Sequence, residues 1–394
     1  MLSQQRSQRQ ADAPSLLASI KALEPLIRES ADRIEAERCL PDEVVDALRS
    51  TGLFRASWPR SMGGLELDPL TQIEALEELS RYDGAVGWLG TFAAISGLLA
   101  AHLEPSAAKE LFPNPDVVSA GSYGPMGRAE RVEGGYRVNG KWSFGSGCRH
   151  SDVMSAGCFV TVGGEINRLP DGQAEYRVAM FPKSSAFIDL DSWQVSGMRG
   201  TGSHDYVLKD LFVPERHTFD DLDPPHHKGP LYAFAPLFLY SHVTMPLGIA
   251  RASLDYIYAL GETKRIFPGT GLLKEYGEAH EAAAKAEAAL RSARSWVYDV
   301  IGDLWDTLVR GDAPSPEQRS LFRLCQVHVT HVAKDVVLQM YDVAGSSAIQ
   351  LKSPIDRLLR DVMTISAHRI VQTRMYRPSG KMLFGLEVKN DRLF

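Results

Sequence analysis

The sequence predicts an α+β protein of segregated parts: helices, then a β region, then a helical bundle. Three observations predict it. Apolar residues recur at helical spacing as far as about residue 115. The pattern then turns to short alternating runs between Pro113 and Pro225. Long helical patterns return after Pro230. The expected divisions are an N-terminal helical domain over 1–115, a middle β-barrel or sandwich domain over 116–228, and a C-terminal four-helix bundle over 229–394.

Each element has its own signal. Leu16, Ile20, Leu23, Ile27 and Ile34 mark a first helix, in which Pro25 implies a late start or a kink. Pro41-Asp42-Glu43 opens a second through Leu48, closed by Gly52. Asp68-Pro69 opens a third, with Ile73, Leu76 and Leu79 on one face. Gly84–Leu103 runs for twenty residues without Asp, Glu, Lys or Arg, which is long enough for a membrane span. Its glycines, Ser96, Thr91 and many alanines predict instead a helix buried on all sides. In the middle region, Tyr136–Val138, Tyr176–Phe181, Tyr206–Leu208 and Leu211–Val213 read as strands between Gly, Asn, Asp and Pro turns. Asp221–Pro230 reads as a linker carrying a solvated His226-His227 pair. Helices are expected over about Leu237–Lys264, Leu272–Arg310, Glu317–Ala344 and Pro354–Arg374. Ser315-Pro316 supplies an N-cap and a proline at the first helical position.

Composition narrows the function. Lys+Arg 43 against Asp+Glu 49 leaves a net charge of −6, which speaks against a nucleic-acid-binding face. Cys39, Cys148, Cys158 and Cys325 lie far apart with no C-x-x-C pair, so zinc ribbons are excluded and a reducing cytoplasm is expected. The start, MLSQQRSQRQADAP, is polar, reads as frayed, and carries no signal peptide. No P-loop, no G-x-G-x-x-G between strand and helix, and no G-x-S-x-G elbow is present. His328 and His331 share a helix, but no Glu-x-x-His accompanies them, so no metal is expected there.

A set of motifs then occurs in a telling order: Gly52-Leu53-Phe54 with Met62-Gly63-Gly64, Gly87-Trp88, Ser122–Gly127, Gly134–His150, Gly197–Ser203 followed by Asp210–Pro214, and Arg360-Asp361 with His368. In this order and spacing the chain resembles the acyl-CoA dehydrogenase superfamily from about Leu40 to His368. More narrowly, it resembles the flavin-dependent monooxygenases of that fold, the oxygenase halves of two-component aromatic hydroxylases.

The resemblance implies site residues. Phe144-Gly145-Ser146 falls on the family's Trp-x-Thr, so Phe144 becomes a flavin wall, Ser146 places its hydroxyl at N5, and Gly147 adjoins the cofactor. Read without it, Phe144 is core and Ser146 a turn residue. Arg265 resembles an arginine that reaches the flavin phosphates of a neighbouring subunit, which implies a homotetramer. Trp88, Ser96 and Tyr123 fall in the substrate pocket. Ser96 stands where several aromatic hydroxylases carry a histidine. No carboxylate lies between Val362 and Leu386 or within Ala235–Thr244, the two places where dehydrogenases keep their base. His368 falls in the first region, where an imidazole suits deprotonating a phenol.

The implied function is an oxygenase that uses reduced flavin (FMN or FAD) and O2 through a C4a-hydroperoxyflavin to hydroxylate an aromatic or other electron-rich small molecule. A separate flavin reductase supplies the flavin. No nucleic acid or membrane is involved. Three alternatives stay open: a dehydrogenase or oxidase with a displaced base, N- or S-oxygenation, and a catalytically silent scaffold.

Overall fold

The computed structural model describes residues 16–220, 223–350 and 352–388; the polar start at 1–14 lies outside them. Helical residues over 16–21 give way to two turn residues, and helix α1 (Glu24–Glu37) restarts with Pro25 in its first turn, as the proline demands. Then come α2 (Asp42–Ser50), α3 (Pro69–Tyr82), α4 (Gly84–Ala100) and α5 (Pro105–Leu111). Asp68 caps α3 by accepting from the N–H groups of Leu70 and Thr71, and Asp83 caps α4 through Ala85 and Val86. All of α4 is buried except Phe92. Among the described residues no helix is long and apolar enough to cross a membrane.

The strands form one mixed eight-stranded sheet: β1 (Ser119–Val132), β2 (Gly135–Gly145), β3 (Val153–Val162), β4 (Glu165–Ile166), β5 (Tyr176–Pro182), β6 (Phe187–Asp189), β7 (His204–Pro214) and β8 (Thr218–Phe219). The order is β6-β7-β2-β1-β3-β5-β8, with β4 paired to β3 and only β1–β3 parallel. The expected runs 206–208 and 211–213 belong to one strand. Asp210 takes a left-handed φ of 50°, the register slips between Val138 and Gly140, and Asn139 Oδ1 accepts the Asp210 N–H across that bulge.

The last part packs α6 (Thr244–Gly261), α7 (Gly277–Val309), α8 (Pro316–Ala344) and α9 (Pro354–Ser366) around one large core, followed by α10 (Tyr376–Leu383). Two helices are shorter than their periodicity suggests. Residues Ala235–Val243 coil as a 3-10 helix and α6 begins only at Thr244. Pro246 has no N–H to offer the His242 carbonyl four residues back, so an α-helix cannot extend through that point undisturbed. At the other end, α9 stops at Ser366. The Ala367 carbonyl accepts from the Gln372 side chain, and His368 lies in the turn beyond the helix rather than on it. In the expected linker, His226 is exposed, but His227 is half-buried edge-on to Tyr232 and its backbone N–H donates to the Ala101 carbonyl.

Candidate active site

The end of β2 sets the site. Its pairing with β7 slips between Trp142 and Gly145, and Phe144 is held at a φ of 67°. A bulky residue in the left-handed region carries strain that the surroundings must hold, and such strain concentrates at functional sites. Phe144 is not core: it is 64% exposed, with its ring edge-on to Trp193 at 6.2 Å. The Ser146 N–H donates to the Phe144 carbonyl at 2.8 Å, which turns the chain back inward and buries Ser146.

Ser146 sits in a line of polar groups. The Trp88 indole N–H donates to Ser146 Oγ at 3.2 Å. Ser146 Oγ lies 2.7 Å from Ser203 Oγ, which lies 2.6 Å from Thr201 Oγ1, and the Thr201 hydroxyl donates to the Met198 carbonyl at 2.8 Å. All four side chains are buried. Gly87 lets α4, which carries Trp88, pack closely against α3, because a Cβ there would stand 2.1 Å from Ser80 Oγ.

Trp88 also joins Ser146 to two histidines. Its ring meets those of His242 and His368 edge-on, each at 5.5 Å, and the two imidazoles stand 5.2 Å apart. His368 is half-buried, and His242 is buried with no hydrogen-bond partner for Nδ1. Burial lowers both pKa values. That of His368 falls to about 4, with Arg323 and Arg369 adding to the effect; that of His242 falls well below the usual range, pressed further by His368 and Arg323. Both imidazoles are therefore neutral at pH 7, below the value near 6.5 that the sequence leads one to expect for His368.

The Arg360-Asp361 pair anchors the loop that carries Thr201 and Ser203. Asp361 accepts the Met198 N–H, while Arg360 binds Glu35, Asp356 and the Ser196 carbonyl. Gly197 admits this contact, since a Cβ would fall 2.1 Å from the Arg360 carbonyl. Asp361 is buried near Asp83, and its pKa is raised by burial and then by that charge to about 7.

The other expected residues fare differently. Ser96 faces away from the histidines: its hydroxyl bonds the Phe92 carbonyl, Ser119 Oγ and the Ser119 N–H. Tyr123 is half-buried on the irregular stretch of β1, edge-on to Phe238 at 6.1 Å. The Gly147 N–H is committed to the Thr201 carbonyl. Arg265 is exposed between α6 and α7 with its guanidinium on the Thr270 carbonyl, and no contact joins it to Ser146 within one chain. His242 and Arg323 were not singled out by sequence, whereas Thr201 and Ser203 stand in the Gly197–Ser203 motif with no role assigned to them. The one available signal was a histidine inside the uncharged run Ala235–Thr244. Among the described residues no group of three or more His, Cys, Asp or Glu could hold a metal ion. A separate cleft of about 850 Å³, lined by Glu110, Asp152, Phe212 and His217 among others, shares none of these residues.

The site residues suit a flavin. An exposed ring on a strained loop offers an apolar wall, Ser146 Oγ retains hydrogen-bonding capacity, and an orphan imidazole nitrogen faces the same aromatic cluster.

Comparison with known proteins agrees. Residues 21–110 match the acyl-CoA dehydrogenase N-terminal domain model, and residues 240–373 match the C-terminal domain model. Indole-3-acetate monooxygenase of Pseudomonas putida is 34% identical over 382 residues, covering 94% of this chain and 95% of its own. The flavin-dependent monooxygenase oxygenase subunit HsaA of Mycobacterium tuberculosis is 30% identical over 396 residues, covering 96% and 97%. The crystal structure of 3-HSA hydroxylase from Rhodococcus sp. RHA1 superposes with a TM-score of 0.90 at 26% identity, covering 96% of this chain and 99% of that one. The chain belongs to the acyl-CoA dehydrogenase superfamily, in its flavin-dependent monooxygenase branch.

Proposed function

We propose that this chain is the oxygenase component of a two-component system. It takes reduced flavin, FMN or FAD, from a separate reductase and hydroxylates an aromatic or other electron-rich small molecule. The observation that carries this reading is the constellation around Trp88: Ser146 on one side, and the neutral His368–His242 pair on the other. Bound reduced flavin would supply the oxygen chemistry, taking up O2 at C4a as a hydroperoxide and handing one oxygen atom to the substrate. Phe144 would cover the ring, Ser146 would meet its N5 edge, and the buried Trp88 would help exclude water. His368, uncharged at neutral pH, is the group we assign to take a proton from a phenol or a similar group. Its Nδ1 accepts the Ile370 N–H at 3.4 Å and its lowered pKa makes it a weaker base than a solvated imidazole, so substrate must displace that contact. The relatives support an aromatic substrate, since the names of two of them specify indole-3-acetate and resorcinol.

The dehydrogenase alternative lacks its base. Residues 235–244 and 362–386 hold no Asp or Glu, and Asp361 is occupied by the Met198 N–H. Arg265 is assigned to the flavin phosphates of a neighbouring subunit in a homotetramer, which accounts for its distance from Ser146 within one chain.

The test is rapid mixing of the protein–reduced flavin complex with oxygenated buffer. A flavin–oxygen adduct that outlives the one formed by free flavin is expected. Oxidation of the bound flavin at the rate of free flavin would sink the reading.

A further inference from the structure

The line of hydroxyls beneath Ser146 has ends that cannot be reversed. At one end the Trp88 indole N–H can only donate. At the other, the Met198 carbonyl can only accept. Each hydroxyl between them carries a single hydrogen. Thr201 uses its hydrogen on the Met198 carbonyl, so in the 2.6 Å contact Ser203 must be the donor to Thr201. Ser203 then has none left, so in the 2.7 Å contact Ser146 must be the donor to Ser203. Ser146 Oγ already accepts from Trp88, and a hydroxyl oxygen has two acceptor lone pairs, so its remaining capacity is one lone pair. All four side chains are buried, so water does not offer these groups an easy alternative.

We propose that Thr201 and Ser203 are positioning residues that fix Ser146 as an acceptor, so that the site favours the N5–H of reduced flavin over the bare N5 of the oxidised form. Reduced flavin carries a hydrogen on N5 and donates it to the free lone pair. Oxidised flavin presents a lone pair there, and two lone pairs face each other. Turning Ser146 round to donate would require Ser203 and Thr201 to turn with it, and would cost the Thr201 bond to Met198. The selection suits a protein that receives reduced flavin from a partner and must release it once oxidised. The inference rests on the flavin reading above, and it adds two residues and a direction to it.

The test measures dissociation constants for oxidised FMN in air and reduced FMN without oxygen, and repeats both with FAD, following quenching of tryptophan fluorescence. The variants are Ser203→Ala, Thr201→Val and Ser203→Thr. Ser203→Ala deletes the acceptor for the Ser146 hydrogen, and Thr201→Val frees the Ser203 hydrogen to point back. Either change lets Ser146 donate to oxidised N5. Both should lower the preference for reduced flavin by roughly three- to tenfold, mainly by tightening the oxidised form, the factor one ordinary hydrogen bond commands. Ser203→Thr keeps the hydroxyl and should keep the preference. Melting curves identify any variant that fails to fold, and the other then decides. An unchanged ratio in a folded variant that binds flavin overturns the relay alone, as does a loss confined to the reduced form. Failure of the unaltered protein to bind either form overturns the relay and the flavin reading together.

Discussion

His368 shows how far a neighbourhood moves a residue from its ordinary chemistry. A solvated histidine titrates near 6.5, whereas enclosure by Trp88 and His242, with Arg323 and Arg369 nearby, pulls His368 to about 4. Its folded-state pKa lies below its unfolded one, so the unfolded chain binds more protons between those values. The stability it contributes is present above about 6.5 and is lost as the pH falls toward 4. His368→Asn removes that loss. Relative to the unaltered protein, the variant should gain about 1–3 kcal/mol of stability between pH 7 and pH 4, read from denaturant unfolding at each pH. The lower part of the range allows for the half-open surface of the residue. As the proposed base, the same variant should continue to consume O2 while product formation falls about 10²–10⁴-fold. Full-rate hydroxylation by His368→Asn would remove the residue from the chemistry.

At the scale of elements, the site depends on how α9 grips the loop over Gly197–Ser203. Met198 is left-handed at a φ of 56°, its N–H is held by Asp361, and its carbonyl is held by Thr201 and the Trp193 indole. The Arg-Asp pair of the sequence motif is therefore an anchor for the loop that carries Ser203, rather than part of the reacting set. Asp361→Ala leaves the buried Met198 N–H without its acceptor. It should cost about 1–3 kcal/mol in unfolding free energy. The looser loop should also weaken reduced-flavin binding. A variant as stable as the parent with unaltered flavin affinity would show that the loop holds its shape without α9. The 3-10 segment over Ala235–Val243 has a matching role, because the break imposed ahead of Pro246 leaves His242 beside Trp88 and His368.

For the whole molecule, the question is what covers the apolar surface. Leu321, Leu324, Val332 and Val336 recur at helical spacing along α8, and they are largely covered within one chain: Val336 is buried, and Leu321, Leu324 and Val332 are half-buried. Apolar residues are left open both in the β region, as at Phe144 and Phe187, and elsewhere in the C-terminal part. The C-terminal ones matter for assembly. They include Phe267, Ile349, Leu383 and Phe384, all more than two-thirds exposed. The proposed homotetramer would cover such surface and bring Arg265 to a neighbour's flavin. Light scattering at micromolar concentration should give four chains, and Arg265→Gln should weaken flavin binding about tenfold, the loss of one charge-assisted contact. A clean monomer, or an Arg265→Gln protein with undiminished affinity, would contradict the arrangement.

The sequence alone determined the α+β layout, the caps at Asp68 and Ser315, the buried character of α4, and the family, because periodicity, capping chemistry and motif order are local properties of a chain. It also pointed to Ser146, Phe144, Trp88 and His368, through motifs that survive in linear order. Tertiary structure decided what those residues do. It exposed Phe144, turned Ser96 toward Ser119, took up the Gly147 N–H, and ended α9 before His368. It also brought in His242, Ser203 and Thr201, which lie 96, 57 and 55 residues beyond Ser146 in the chain. The physical reason is that hydrogen-bond direction and pKa are set by what stands within a few ångströms. Neighbours at that range come from α4, the end of β2, the loop before β7 and the 3-10 turn before α6, and no local pattern in any one of these segments encodes the other three.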